Sequence, residues 1–200
     1  MIEHYFTQHP ISKKKDYLIK DTVRGNKLIF YTSSSIFSKQ HIDQGSRLLA
    51  QRCSIRDGMH ILDLGCGYGI VGIAVKKAFL KCNIVAVDIN ERAVELTKKN
   101  AEVNCVEIDV RQGNLYDTTP ERFDVILLNP PQTAGKTICF AMIDQASSHL
   151  YSGGCFYVVA RPSKGGKTLC KRMEERIGSV CVVGRKDGYA VYCAIQGSNL

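Results

Sequence analysis

From residue 59 onward, strand-like and helix-like segments alternate without interruption, and this constrains the fold more than any other feature. Apolar runs at 59–64, 84–87, 106–110, 123–128 and 155–160 read as strands. Helical patterns at 70–80, 90–103, 135–150 and 166–177 separate them. Strands joined through helices must lie parallel, with helices covering both faces of the sheet. The last runs, 180–183 and 190–195, flank Lys186-Asp187-Gly188. So short a connection pairs them antiparallel. Ahead of this core, two alternating runs flank Gly25-Asn26 and predict a β-hairpin. Residues 1–15 read as a short arm or first strand, and 43–52 as a helix. The expected architecture is α/β and Rossmann-like: a mostly parallel sheet, an antiparallel C-terminal strand and an N-terminal hairpin. At 200 residues it fits one domain. Within it, 1–38 forms the hairpin and a covering segment, and 39–200 the core.

Open sheets of this kind place ligands beyond the carboxyl ends of their strands. Three such ends carry informative residues. Asp63-Leu64-Gly65-Cys66-Gly67-Tyr68-Gly69 follows the first strand, and its glycines allow a tight turn and close backbone approach. The literal G-x-G-x-x-G at 67–72 fits a dinucleotide site or a packed turn. Asp63 speaks against a pyrophosphate, which a carboxylate repels, and for a ligand bearing an ammonium group. Asp88 ends the next strand, where an acid bonds a ribose diol or begins a helix. Asn114-Leu115 follows the third, offering a donor and acceptor to an adenine edge or a turn.

The strand Val125-Ile126-Leu127-Leu128 runs into Asn129-Pro130-Pro131-Gln132. Four consecutive apolar residues fit burial on both faces. Two prolines lack the N–H that would extend the ladder, so the strand stops in a rigid turn.

The net charge of +8 favours an anionic partner, with nucleic acid first. Nine cysteines include no C-x-x-C pair, several lie in apolar runs, and their number is odd. They read as free thiols of a reducing cytosol, neither a metal site nor a disulfide framework. No run approaches the ~20 apolar residues of a membrane span, and the N-terminus lacks a basic-then-apolar leader. A cytoplasmic protein with no metal and no membrane partner is expected.

Ile61 to Gly69 resembles the first motif of the class I S-adenosylmethionine-dependent methyltransferases. Asp88 resembles that family's ribose-binding acid, and Asn129-Pro130-Pro131 its amino-methylating N-P-P motif. The likeness runs from about Tyr31 to Gln196. Within the class it is strongest to the small-domain group, which includes ribosomal RNA guanine-N2 methyltransferases. Phe37-Ser38 followed by Asp43-x-Gly45-Ser46 is similar to that group's cofactor-closing segment. The resemblance implies S-adenosylmethionine as cofactor. Asp63, Gly65, Cys66 and Gly67 would lie near its methionine part, Asp88 and Ile89 at ribose and adenine, and Asn114 and Leu115 at adenine. It implies an exocyclic amino group as acceptor, guanine N2 or adenine N6 in ribosomal or other structured RNA, with Asn129, Pro130, Pro131 and Gln132 at the reaction centre. Independently of the resemblance, Arg161, Lys164 and Lys167 follow the next strand, beside this turn, and read either as phosphate contacts or as a solvated helix start. Gln132 departs from the family's aromatic at this point, removing ~1–3 kcal/mol of base stacking unless Phe37 or Tyr31 supplies a ring. A protein-glutamine or small-molecule amine substrate, and a non-catalytic cofactor-binding subunit, are the alternatives. A nicotinamide dehydrogenase is the rival at the level of fold.

Overall fold

Strand β3 (His60–Leu64) shows how the two faces of the sheet are made. Its side chains alternate: Ile61 enters one hydrophobic cluster, Leu62 and Leu64 the other. Strand β6 (Phe123–Leu128) alternates in the same way, Val125 and Leu127 against Ile126 and Leu128, all four buried. The expectation of a strand covered on both faces therefore holds. The computed structural model describes residues 16–33, 42–131 and 135–197. The predicted arm at 1–15, Phe37, Ser38 and Gln132 lie outside them.

One seven-stranded sheet carries the core. With β4 (Asn83–Asp88), β5 (Asp109–Gln112), β7 (Leu150–Ala160), β8 (Val180–Lys186) and β9 (Tyr189–Ile195), its order is β5-β4-β3-β6-β7-β9-β8. The first four pairings along this order are parallel; β9 runs antiparallel to both of its neighbours. Helices α1 (Gln44–Arg52), α2 (Ile70–Ala78) and α3 (Glu91–Val103) cover one face, α4 (Gly135–Ala146) and α5 (Gly166–Arg176) the other. The chain steps from β3 outward to β4 and β5, then returns to β6 on the far side of β3. That reversal opens a crevice at the carboxyl ends of β3 and β6.

The hairpin of β1 (Asp16–Val23) and β2 (Asn26–Ser33) forms its own two-stranded sheet. Its turn is Arg24-Gly25, both at positive φ, so Asn26 is the first residue of β2 and not a turn residue. Arg24 donates to the carbonyls of Ala50 and Cys53 at the end of α1. Across the hairpin, Asn100 and Asn104 of α3 act as a substitute strand. Asn100 accepts from Tyr31 N and donates to Tyr31 O at 2.7 and 2.9 Å; Asn104 does the same for Ile29 at 3.0 and 2.7 Å.

Three boundaries depart from expectation. β5 begins at Asp109, because Val106 N turns back to Ala101 O and closes α3, leaving Val106 and Ile108 as packing residues. The helix expected to reach 150 ends at Ala146, and Ser147–His149 continues as a 3-10 turn. Gly153 and Gly154 do not separate a helix from a strand; they lie inside β7. Phe123 pairs with Leu150 and Val125 with Cys155, so the intervening residues bulge. Gly154 has no room for a Cβ, which would stand 2.9 Å from Tyr151 O.

Candidate active site

Asp63 points to the α1–α3 face of β3 and is buried. Its Oδ2 accepts from Gly72 N at 2.8 Å, in the first turn of α2. A Cβ on Gly72 would stand 3.0 Å from that oxygen, so glycine lets the helix come this close. Burial pushes the Asp63 carboxyl up to about 7, against the opposing bond from Gly72.

The glycine loop folds over the end of β4. Gly65 N and Cys66 N both donate to Val87 O, and Gly67 N donates to Asp88 Oδ2 at 2.9 Å. The other oxygen of Asp88 accepts from Asn90 N, also at 2.9 Å. Asp88 therefore ties the loop to the start of α3. Thr97 donates to Gly67 O from the next turns of α3. Burial pushes the Asp88 carboxyl up to about 6. The Cys66 thiol is pushed well up by burial and then by both carboxylates, so it is a neutral packed thiol.

Two cavities meet here. One is lined by Asp63, Gly67, Tyr68 and Ser46; the other, of about 290 Å³, by Ile89, Asn114, Leu115, Pro131 and Met142. Gly65, Asp88 and Asn129 line both, which makes a single elongated cleft. One end holds a buried acid, the middle a second acid, and the far end apolar side chains such as Ile89, Leu115 and Met142. Two carboxyls that burial holds against ionisation suit a ligand that brings positive charge to one and hydroxyls to the other.

Asn129 and Pro130 stand at the end of β6, where the cleft meets a third cavity. That cavity is lined by Pro130, Cys139, Phe140 and Leu169, with Lys136 and Lys164 at it. Asn129 Nδ2 donates at 2.8 Å to both Asp43 Oδ2 and Ser46 Oγ.

Asp63, Gly65, Cys66, Gly67, Asp88, Ile89, Asn114, Leu115, Asn129, Pro130 and Pro131 thus converge on one cleft. Of the expected phosphate contacts, Lys164 reaches the third cavity. Lys167 is exposed in α5, outside the residues that line it. Arg161 lies with its guanidinium 4.2 Å from the Tyr189 ring, also outside them. Tyr31, a candidate base-stacking ring, is engaged by Lys99 at 3.5 Å on α3 and is not brought to Pro130. Sequence reasoning missed the α4 wall of the cleft: Ile138 and Met142 share one helical face, and their spacing looks like ordinary core. Among the described residues, no group of three His, Cys, Asp or Glu could hold a metal, and no helix is long and apolar enough to cross a membrane.

The methyltransferase small domain family matches residues 27–193. The chain is 34% identical over 197 residues to the uncharacterized protein YbxB of Bacillus subtilis (strain 168), covering 96% of this chain and 97% of that one. It is 29% identical over 166 residues to ribosomal RNA small subunit methyltransferase C of Stutzerimonas stutzeri, covering 81% of this chain and 49% of the other. In fold it is similar to the T. thermophilus 16S rRNA N2 G1207 methyltransferase (RsmC), solved with AdoMet and guanosine. The TM-score is 0.81 at 24% identity, over 94% of this chain and 52% of that one. The chain spans about half the length of the ribosomal RNA methyltransferases it matches.

Proposed function

Since the chain belongs to the methyltransferase small domain family, we propose that it transfers a methyl group from S-adenosylmethionine to an exocyclic amine of RNA. Guanine N2 is the favoured acceptor and adenine N6 the second, in ribosomal or other structured RNA. The observation that carries this reading is the placement of Asn129 and Pro130. They stand between a cleft with one buried and one half-buried acid, Asp63 and Asp88, and a cavity flanked by lysines.

The residues of the cleft fit S-adenosylmethionine. Asp63 and the glycine loop would hold its methionine part, Asp88 the ribose, and Ile89, Asn114 and Leu115 the adenine. When bound, it supplies an already activated methyl group. The protein's work is then mainly positioning. A ring-conjugated amine is a weak nucleophile, because its lone pair is shared with the ring. The Asn129 side-chain oxygen and the Pro130 carbonyl accept its two N–H groups and favour a pyramidal nitrogen with a directed lone pair. Proline fixes φ at 130 and 131, so the direction of the carbonyl is preset. The methylated nitrogen passes its proton to water, so no strong base is required. Lys136 and Lys164 would hold flanking phosphates. The relatives named as ribosomal RNA methyltransferases, and the fold neighbour solved with AdoMet and guanosine, support the choice of RNA and guanine.

The test is transfer from methyl-labelled cofactor into bacterial ribosomal subunits, protein-free ribosomal RNA, protein and small-molecule fractions. Label in the RNA fraction is expected. Label confined to protein glutamine or to small amines contradicts the RNA reading. Cofactor binding with no label anywhere contradicts the enzymatic one.

A further inference from the structure

The reaction proposed above needs Asn129 to offer an oxygen to the acceptor amine. An unrestrained amide can rotate and offer its NH₂ instead, which would repel the N–H groups of the substrate. Two residues far from Asn129 in sequence prevent this. Asp43 Oδ2 and Ser46 Oγ each stand 2.8 Å from Asn129 Nδ2, one acceptor for each of its two protons. A carboxylate has no proton to give, so the nitrogen of the amide must face it. The oxygen then points away from Asp43, on the other arm of the planar amide.

Asp43 is itself held. It is the N-cap of α1, and the same Oδ2 accepts from Ser46 N at 2.7 Å. Gly45 lies beneath: a Cβ there would stand 3.0 Å from Asp43 Oδ2 and 3.1 Å from the Tyr189 ring. Glycine at this position leaves the carboxyl room to turn toward Asn129. Ser46 is buried, so its hydroxyl is shielded from competing water. Donation from the amide to a carboxylate also polarises it and makes its oxygen a stronger acceptor.

We infer that Asp43, with Ser46, is a positioning residue for methyl transfer, gripping the Asn129 amide so that only its oxygen faces the acceptor amine. Asp43 acts through Asn129. This rests on the amino-methylating role proposed for Asn129, and the experiment separates the two.

Asp43→Ser keeps a good N-cap but is too short to reach Asn129. Its kcat toward ribosomal RNA falls about 10- to 100-fold, a loss of the size produced by misplacing a reacting group. Cofactor Kd stays within about threefold of wild type. Asp43→Asn retains both the cap and an acceptor oxygen, and returns kcat to within about tenfold of wild type, since the bond becomes a neutral one. In an Asn129→Ala background, Asp43→Ser causes no further loss, because the group it positions is gone. Equal losses in both backgrounds would show a merely structural role and overturn the inference. A second readout needs no turnover: the side-chain NH₂ of Asn129, assigned by NMR from its absence in Asn129→Ala. It exchanges slowly with water in the wild type and fast in Asp43→Ser. Unchanged exchange overturns the grip, whatever the kinetics. If Asn129→Ala leaves turnover intact, the proposed role of Asn129 fails; if only Asp43→Ser does, the positioning inference fails.

Discussion

Asp63 is buried and Asp88 half-buried at the mouth of the cleft, and this makes their ionisation depend on what they face. Burial raises Asp63 to about 7 and Asp88 to about 6, from an ordinary 3.8. In the free protein this penalises the charged forms: an unfolded chain gives up these protons first, so stability is lost as pH rises from about 4 toward about 7. A cationic ligand reverses the preference, because it favours the ionised carboxyls. S-adenosylmethionine should therefore bind more tightly as pH rises through about 6 to about 7, releasing protons as it binds. Calorimetry at about pH 6.5, in two buffers of different ionisation enthalpy, would show that release; equal heats would contradict it. These two acids were legible because each lies at or one residue before the end of a strand that its own apolar run announces. Asn129 was legible for the same reason, sharpened by two prolines. The resemblance singled out Asp43-x-Gly45-Ser46 as a cofactor-closing segment, but not its bond to Asn129: Asp43 meets Asn129 across 86 residues of chain, and no local pattern carries that contact.

At the scale of elements, α3 has the most consequences. Its first turn is fixed by Asp88, its middle by Thr97 on the glycine loop, and its end by the asparagines that hold the hairpin. Asn100 also donates to Tyr68 O at 2.8 Å, so one side chain joins hairpin, helix and cofactor loop. Asn100→Ala would leave three backbone groups without this partner, the half-buried Tyr31 N and O and the buried Tyr68 O. It should lower the free energy of unfolding by roughly 3 kcal/mol, measured by denaturant titration; a loss under about 1 kcal/mol would show that water replaces it. Periodicity revealed α3, since its pattern is local. It misplaced the start of β5, since Val106 and Ile108 are apolar for packing and Val106 N serves the helix end, and it misplaced the start of β7. The true range of β7 is set by pairing with β6 and β9. The hairpin was legible as a hairpin, but its turn moved to Arg24-Gly25 because Arg24 is needed at the end of α1.

At the scale of the molecule, the crevice exists because β3 has β4 on one side and β6 on the other. Strand–helix alternation implied a parallel sheet. The insertion of β9 between β7 and β8 was not written in any local pattern; it depends on which edge remained open. The +8 charge acquires a location at Lys136 and Lys164 beside Pro130. RNA binding should weaken steeply with salt, and replacing both lysines by alanine should lower the slope of log affinity against log salt by about 1.4 to 2. A filter-binding titration over several salt concentrations checks this. An unchanged slope would place the phosphates elsewhere on the surface.

The central claim is that Asn129-Pro130 directs a methyl group onto an exocyclic amine of RNA. Its most direct test is mass spectrometry of nucleosides from ribosomal RNA treated with the protein and deuteromethyl-labelled cofactor. Label is expected on the exocyclic nitrogen of guanosine or adenosine with wild type, and a loss of about 100-fold or more with Asn129→Ala while cofactor binding persists. Label on a ribose hydroxyl or a ring carbon, or full labelling by Asn129→Ala, would contradict it.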